Sequence, residues 1–250
     1  MPAAPRIKIC GITGLDDAER AVEAGAWAVG LILWEGSPRR CDLDEAQLIA
    51  RRLQRTVEVC GVFVNETLDT VARTVDTVGL TMVQLHGDEG PSFCEEVRRR
   101  TGAKVIKAGR VGSLADLRDV ERFHHVDYHL LDTRRDGMAG GTGETWDWTL
   151  VGQRHSKVPL ILSGGLTPEN VADAIRMTRP YAVDTASGTE ASPGVKDPGK
   201  LTAFVSAVRA EAEAEAAAEA EAAAAALALA ELEARHVPAL EAPGATEHAS

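Results

Sequence analysis

Lys8-Ile9-Cys10-Gly11-Ile12-Thr13 is a short apolar strand that ends on a cysteine and breaks at once on glycine. Far along the chain, Tyr128-His129-Leu130-Leu131 runs into Asp132-Thr133 in the same manner. In one barrel of parallel strands, the thiol and the carboxyl would share a rim, the face where such barrels place their chemistry. A thiol and a carboxyl facing each other suit a base and an acid.

Working outward from these two strands, short β-rich runs alternate with amphipathic helical stretches, the pattern of a parallel sheet with crossover helices. The sequence predicts strands over 6–10, 26–33, 57–64, 82–86, 104–108, 128–132, 160–163 and 181–184. Most are continuous apolar runs, as expected for strands covered on both faces. Helices fall between them, with Asp16, Asp42 and Thr167 as N-caps and Pro168 at a first helical position. Eight such units in about 200 residues fit a compact (β/α)8 TIM barrel. An open doubly wound sheet would have fewer strands and a G-x-G-x-x-G turn after the first, where this chain has Cys-Gly-Ile-Thr.

The 250 residues carry a formal charge of −11, unevenly placed. From Ala210 onward there are nine Glu and one Arg, so residues 1–209 are near −3. A body so balanced is not a nucleic-acid binder by charge. Cys10, Cys41, Cys60 and Cys94 form no C-x-x-C pair and no metal-ligand spacing, so no metal site is expected. Few cysteines, no signal-like N-terminus and no long apolar run point to the cytoplasm and away from a membrane. The barrel is expected to occupy residues 1–209. Residues 210–250 form an Ala/Glu-rich tail, helical to about Arg235 and disordered beyond Val237. Only Leu227, Leu229 and Leu232 of that tail have side chains suited to docking. A solvated, dispensable tail is the expected reading, and a partner-binding helix is the alternative.

Several further residues suggest a ligand site. Gly11 lets a substrate approach the backbone beside Cys10. Asp132, half-buried behind two leucines, is expected to have a raised pKa. Gly140-Gly141-Thr142-Gly143 reads either as a flexible turn or as a flap closing over a ligand. Ser163-Gly164-Gly165 and Ala186-Ser187-Gly188 end the seventh and eighth strands, where this fold commonly binds phosphate through exposed N–H groups and a short helix N-terminus. Arg39, after the second strand, is either a solvated loop residue or a grip for a substrate carboxylate. His86, after the fourth, suits a supporting hydrogen-bonding role.

Taken in order, these motifs make residues 6 to about 205 resemble the phosphoribosylanthranilate isomerase family. The resemblance rests on Lys8–Thr13, Gly61-Val62-Phe63-Val64-Asn65, Gln84-Leu85-His86-Gly87 and Leu130-Leu131-Asp132-Thr133. It continues through Gly140–Gly143 with Trp146-Asp147-Trp148, then Leu162–Leu166 with Pro168-Glu169-Asn170-Val171. It ends on Asp184 through Ser187, Gly188 and Glu190 to Lys196-Asp197.

The resemblance implies an Amadori rearrangement of N-(5-phosphoribosyl)anthranilate to the 1-deoxyribulose isomer, with no metal or organic cofactor. Asp132 would be the general acid, protonating the ribose ring oxygen. Cys10 would be the general base, taking the proton from C2 as a thiolate with a pKa of about 8.5 or lower. Arg39 would hold the anthranilate carboxylate, and Asp184 would contact its amine. Gly141 of the flap, together with Gly164, Gly165, Ser187 and Gly188 at the phosphate, would complete the substrate contacts. Two departures stand out. Ala186 replaces a usual serine, at a cost on the order of 1 kcal/mol for one lost hydrogen bond, and Arg40 replaces a usual apolar residue.

Rival readings remain open on the sequence. A related barrel isomerase acting on another phosphoribosylamine would want aspartate in place of Cys10. An indole-forming barrel would want a catalytic lysine, for which Lys107 is the obvious candidate. A non-catalytic phosphosugar-binding barrel would be expected to have lost Cys10 or Asp132. The partner is a small-molecule phosphosugar, and a monomer is the expected state, with a homodimer as the alternative.

Overall fold

A computed structural model describes residues 4–53, 55–133 and 146–235. Its strands are β1 (Arg6–Cys10), β2 (Ala28–Ile32), β3 (Glu58–Phe63), β4 (Met82–Leu85), β5 (Lys104–Val111), β6 (Tyr128–Thr133), β7 (Leu160–Leu162) and β8 (Ala182–Thr185). They are parallel and close into a barrel in sequence order, with β1 pairing both β2 and β8. The intervening helices are α1 (Leu15–Ala24), α2 (Leu43–Leu53), α3 (Leu68–Val78), α4 (Pro91–Thr101), α5 (Leu114–Glu121) and α6 (Val171–Thr178). The expected (β/α)8 architecture is met.

Local details differ from the sequence reading. The N-cap of α1 is Gly14, so Asp16 lies in the first turn, where its charge favours the helix N-terminus. Residues 168–170 form a turn, and α6 begins only at Val171. Thr167 still serves that end: its hydroxyl accepts from the Glu169 N–H and its carbonyl from the Val171 N–H. Between β6 and β7 the described part of the crossover is a single 3-10 helix, Trp148–Gln153. After β8 an antiparallel hairpin, β9 (Glu190–Ser192) and β10 (Val195–Lys196), precedes the last helix, α7 (Pro198–Arg235).

The apolar side chains form two shells. Ile9, Val29, Leu31, Val83, Leu85, Val105, Leu131 and Leu162 pack outward against the helices. Ala28, Cys60, Met82, Ile106, Leu130, Ile161 and Ala182 fill the lumen. The two sets alternate along each strand because successive side chains point to opposite faces of the sheet. The lumen is closed at its N-terminal end by Trp27, Tyr128 and Tyr181, whose ring centroids lie 5.3–5.9 Å apart. Arg6 stacks over Trp27 and Tyr181 at 5.3 and 5.2 Å, a cation–π contact that plugs the base of the barrel.

The chain divides into two compact units, Ala3–Ala212 and one holding residues 213 onward. Within the first, buried Glu211 pairs with Arg176 of α6. The described part of the second is the helix up to Arg235, on which Leu227 is exposed. The side chains of Leu229 and Leu232, and everything beyond Arg235, lie outside the described residues. No described helix is long and apolar enough to cross a membrane.

His129 on β6 faces the helices and is fully buried. Its Nε2–H donates to the Phe123 carbonyl at 2.9 Å, while Nδ1 accepts from Arg154 at 3.2 Å. Burial pushes its pKa from 6.5 down to about 4, so the neutral ring belongs to the fold. The unfolded chain therefore binds the proton more readily. The contribution is fully present above pH 6.5 and is lost as pH falls toward 4, by about 3 kcal/mol at most. Denaturant titrations across this window should show a steeper loss for the natural chain than for His129→Gln. Identical slopes would rule out this residue as the cause.

Candidate active site

The C-terminal rim of the barrel opens on a cavity of about 380 Å³, within the size range of small-molecule sites. Strand alternation selects its floor. On β1, Lys8 and Cys10 share the lumen face; Gln84 and His86 continue β4 on that face, Arg110 β5, Asp132 β6, Ser163 β7 and Asp184 β8. Lys8 is fully buried beneath the cavity, and each of the others lines it.

Cys10 stands beside Gly30, its partner in the β1–β2 register. A Cβ at Gly30 would come within 2.7 Å of the Cys10 sulfur, so only glycine leaves the thiol its place. Below it, Lys8 and Asp184 are register partners across the β1–β8 seam, and Nζ meets Oδ1 at 2.8 Å. Ser163 donates to the other Asp184 oxygen at 3.1 Å. Desolvation pulls the Lys8 pKa down, but Asp184 and then Cys10 and Cys60 outweigh it, holding Lys8 above the ordinary lysine value. Lys8 is thus a fixed cation next to the thiol.

The ionisation of Cys10 and Asp132 differs from the sequence expectation. Burial pushes the Cys10 thiol above its ordinary value, aided by Asp184 and opposed by Lys8 and Lys196, so it is not the low-pKa thiolate expected. Asp132 was expected to be raised and is instead lowered. Burial pushes it up, but the hydrogen bond and charge of His86, the Thr133 N–H and the charge of Arg110 outweigh that. His86 Nε2 lies 3.5 Å from Asp132 Oδ2, and the Gln84 amide meets His86 Nδ1 at 3.0 Å. With Gln84 donating, Nδ1 is the acceptor and Nε2–H is directed at the carboxylate.

The glycine loops after β7 and β8 lie together on one side of the cavity. Gly164 has φ +92°, and a Cβ there would fall 2.7 Å from the Thr133 backbone nitrogen. Gly188 lies against the Leu166 carbonyl, where a Cβ would sit 2.0 Å from the oxygen. Among the described residues the N–H groups of Gly165 and Ser187 donate to no protein acceptor. Within that set they remain available to an anion. The helix expected beside them is one 3-10 turn, Ser187–Thr189.

Arg39 lines the cavity from the β2 loop and is held by Glu190 at 2.9 Å. Arg40 points elsewhere, 3.9 Å from exposed Glu35. Gly141 and the rest of the predicted flap lie outside the described residues. Lys107, the lysine considered for an indole-forming reaction, faces away from the lumen. It is buried against Glu89 at 2.9 Å and the Gly87 carbonyl at 2.7 Å. The sequence reading gave no role to Lys8, Gln84, Arg110 or Glu190, and it placed Ser163 in a phosphate loop, whereas its hydroxyl bonds Asp184. Parity along each strand identifies Lys8, Gln84 and Arg110, whereas Glu190 depends on a hairpin that no periodicity announces.

The family profile described as N-(5'-phosphoribosyl)anthranilate (PRA) isomerase matches residues 7–207. The chain is 47% identical over 207 residues to N-(5'-phosphoribosyl)anthranilate isomerase of Citrifermentans bemidjiense, an alignment covering 82% of this chain and 97% of that protein. The crystal structure of phosphoribosyl anthranilate isomerase from Thermotoga maritima superposes with a TM-score of 0.76 at 38% identity, over 82% of this chain and 99% of that one. A second structure of such an isomerase, in complex with reduced 1-(o-carboxyphenylamino)-1-deoxyribulose 5-phosphate, gives 0.73 at 37% identity, with 82% and 99% covered.

All four cysteines are buried, and their thiols are pushed up: Cys94 to about 11, Cys41 and Cys60 to about 12, and Cys10 above 9.0. Only Cys10 lines the cavity. Iodoacetamide followed by mass spectrometry should label Cys10 first, with a rate that is low at neutral pH and is still climbing at pH 9.0 instead of levelling off below it. Rapid labelling at neutral pH would show a thiolate that this environment does not provide.

Proposed function

This chain belongs to the N-(5'-phosphoribosyl)anthranilate isomerase family, and from that premise we propose how its residues divide the work. The enzyme is the isomerase of tryptophan biosynthesis that converts N-(5'-phosphoribosyl)anthranilate to 1-(2-carboxyphenylamino)-1-deoxyribulose 5-phosphate. The barrel, residues 1–209, is its catalytic unit, and residues 210–250 are an appended tail.

Asp132, as the acid, gives a proton to the ribose ring oxygen as the C1–O bond breaks, leaving an iminium at C1. That cation acidifies the C2–H. Cys10, as a thiolate, removes the proton, and the electron pair forms the C1–C2 double bond of an enolamine. Tautomerisation to the ketone completes an isomerisation with no net change in atoms or electrons. Arg39 takes the anthranilate carboxylate. Gly164, Gly165, Ser187 and Gly188 cradle the phosphate. His86 orients the Asp132 carboxyl. Asp184 retains acceptor capacity beyond Lys8 and Ser163 for the amine.

The observation that carries this assignment is the common lumen face of Cys10 and Asp132 at one rim, with a cationic arginine and two glycine loops around them. At rest the pair stands as thiol and carboxylate, whereas the reacting pair is thiolate and acid. Both forms hold the same number of protons, so a single proton shift interconverts them.

Cys10→Ala should lower turnover at least about a thousandfold, the scale of a lost general base. It should leave binding of the reduced product analogue within about threefold, since a methyl fills most of the thiol's place. Steady-state kinetics and calorimetry on the same preparation check both. Turnover close to that of the natural enzyme would overturn the base assignment.

A further inference from the structure

A buried carboxylate next to the substrate-gripping arginine takes no part in the chemistry above. Glu190 opens the β9–β10 hairpin, and its side chain is 4% exposed. Both of its oxygens accept from Arg39 Nε, at 2.9 and 3.0 Å. The terminal nitrogens of Arg39 have no hydrogen-bond partner among the described residues, although Arg39 lines the cavity. A guanidinium offers two edges for bidentate pairing. With Nε engaged, the edge left to pair with a ligand is the terminal one.

The charge is arranged to match. A lone carboxylate this close would repel an anionic substrate ring. Lys196, on β10 and 1% exposed, lies 3.4 Å from Glu190 Oε1 and donates to the Ala186 carbonyl at 2.8 Å. Arg39, Glu190 and Lys196 together therefore carry one net positive charge. The cluster is also anchored. The Thr13 hydroxyl donates to the Gly194 carbonyl at 2.6 Å, and the Lys196 N–H donates to Asp17 at 2.8 Å. A Cβ on Gly11, just after Cys10, would lie 3.1 Å from Arg39 Cδ and 3.3 Å from Glu190 Oε1. The hairpin thus ties the loops after β1, β2 and β8 together around the arginine.

We propose that Glu190 is the positioning residue for recognition of the substrate's carboxylate, presenting the terminal edge of Arg39 to it, with Lys196 offsetting the charge of Glu190. This rests on the reading of Arg39 as the carboxylate's partner. A side chain of this kind sets specificity for an ortho-carboxylated ring and leaves the acid and the base untouched.

The test compares two probes by calorimetry: reduced 1-(o-carboxyphenylamino)-1-deoxyribulose 5-phosphate and its counterpart lacking the carboxyl group. Glu190→Gln should cut the preference for the carboxylated probe about tenfold, the scale of one charge-assisted contact. Affinity for the carboxyl-free probe should stay within about twofold, because that probe never meets the terminal edge of Arg39. Equal weakening of both probes means a merely structural role and overturns the proposal. Arg39→Met separates the two readings. If it abolishes the preference while Glu190→Gln leaves it intact, only the positioning role fails. If Arg39→Met itself leaves the preference intact, the assignment of Arg39 fails, and the role of Glu190 with it. Should Glu190→Gln not fold, Glu190→Asp keeps the charge while retracting it by one methylene. It should then reduce the preference in the same selective way, and equal weakening again overturns the proposal.

Discussion

The ion pair between Lys8 and Asp184 is the contact on which the rest of the site depends. It spans the β1–β8 seam, where the barrel closes, and both partners are buried in the lumen. Two charges so far from water are tolerable only as a pair with their remaining valences met, and removing either would leave an uncompensated buried charge, at about 3–5 kcal/mol. Ser163 meets one of those valences from β7. The seam is thereby fixed in a register that also sets Cys10 two residues above Lys8, opposite the glycine that gives the thiol room.

From that register the rest follows through the pleat. Arg6, Lys8 and Cys10 climb one face of β1 from an aromatic plug, past a cation, to the thiol that lines the cavity. The lumen graduates in the same direction, from Trp27, Tyr128 and Tyr181 through Met82, Ile106 and Leu130 to Gln84, Asp132 and Asp184. The lower layers supply stability and the upper layer supplies chemistry. This division keeps polar side chains at the end where loops can satisfy them and a substrate can reach them. The resting ionisation fits as well. A neutral thiol and an ionised aspartate are the least costly states for these surroundings, and one proton passed from thiol to carboxylate gives the pair the proposed chemistry needs.

Much of this was legible in the sequence because it follows short-range rules. Eight apolar runs punctuated by glycine or a polar residue announced the barrel, and Cys10 and Asp132 declared themselves as polar ends of buried strands. The glycines after β7 and β8 lie where the fold needs close backbone approach. What escaped depends on distance in space. Glu190 matters through its contact to a loop 151 residues earlier and Lys196 through Glu190, and their hairpin is too short to leave a periodic trace. Asp132 departs from expectation because His86 and Arg110, delivered by other strands, outweigh its burial, and Cys10 departs because burial itself, the largest influence on its thiol, holds it neutral. Lys107 looked catalytic only until parity turned it outward.

The central claim is that the carboxyl of Asp132 supplies the proton that opens the ribose ring. The most direct measurement follows N-(5'-phosphoribosyl)anthranilate by NMR with the natural enzyme and with Asp132→Asn, whose amide keeps the shape and cannot donate that proton. The natural enzyme should replace the anomeric proton signal with a ketone carbon, and Asp132→Asn should leave the ketone signal absent while still binding the reduced product analogue. Formation of the ketone by Asp132→Asn at a rate near that of the natural enzyme would contradict the assignment of the acid.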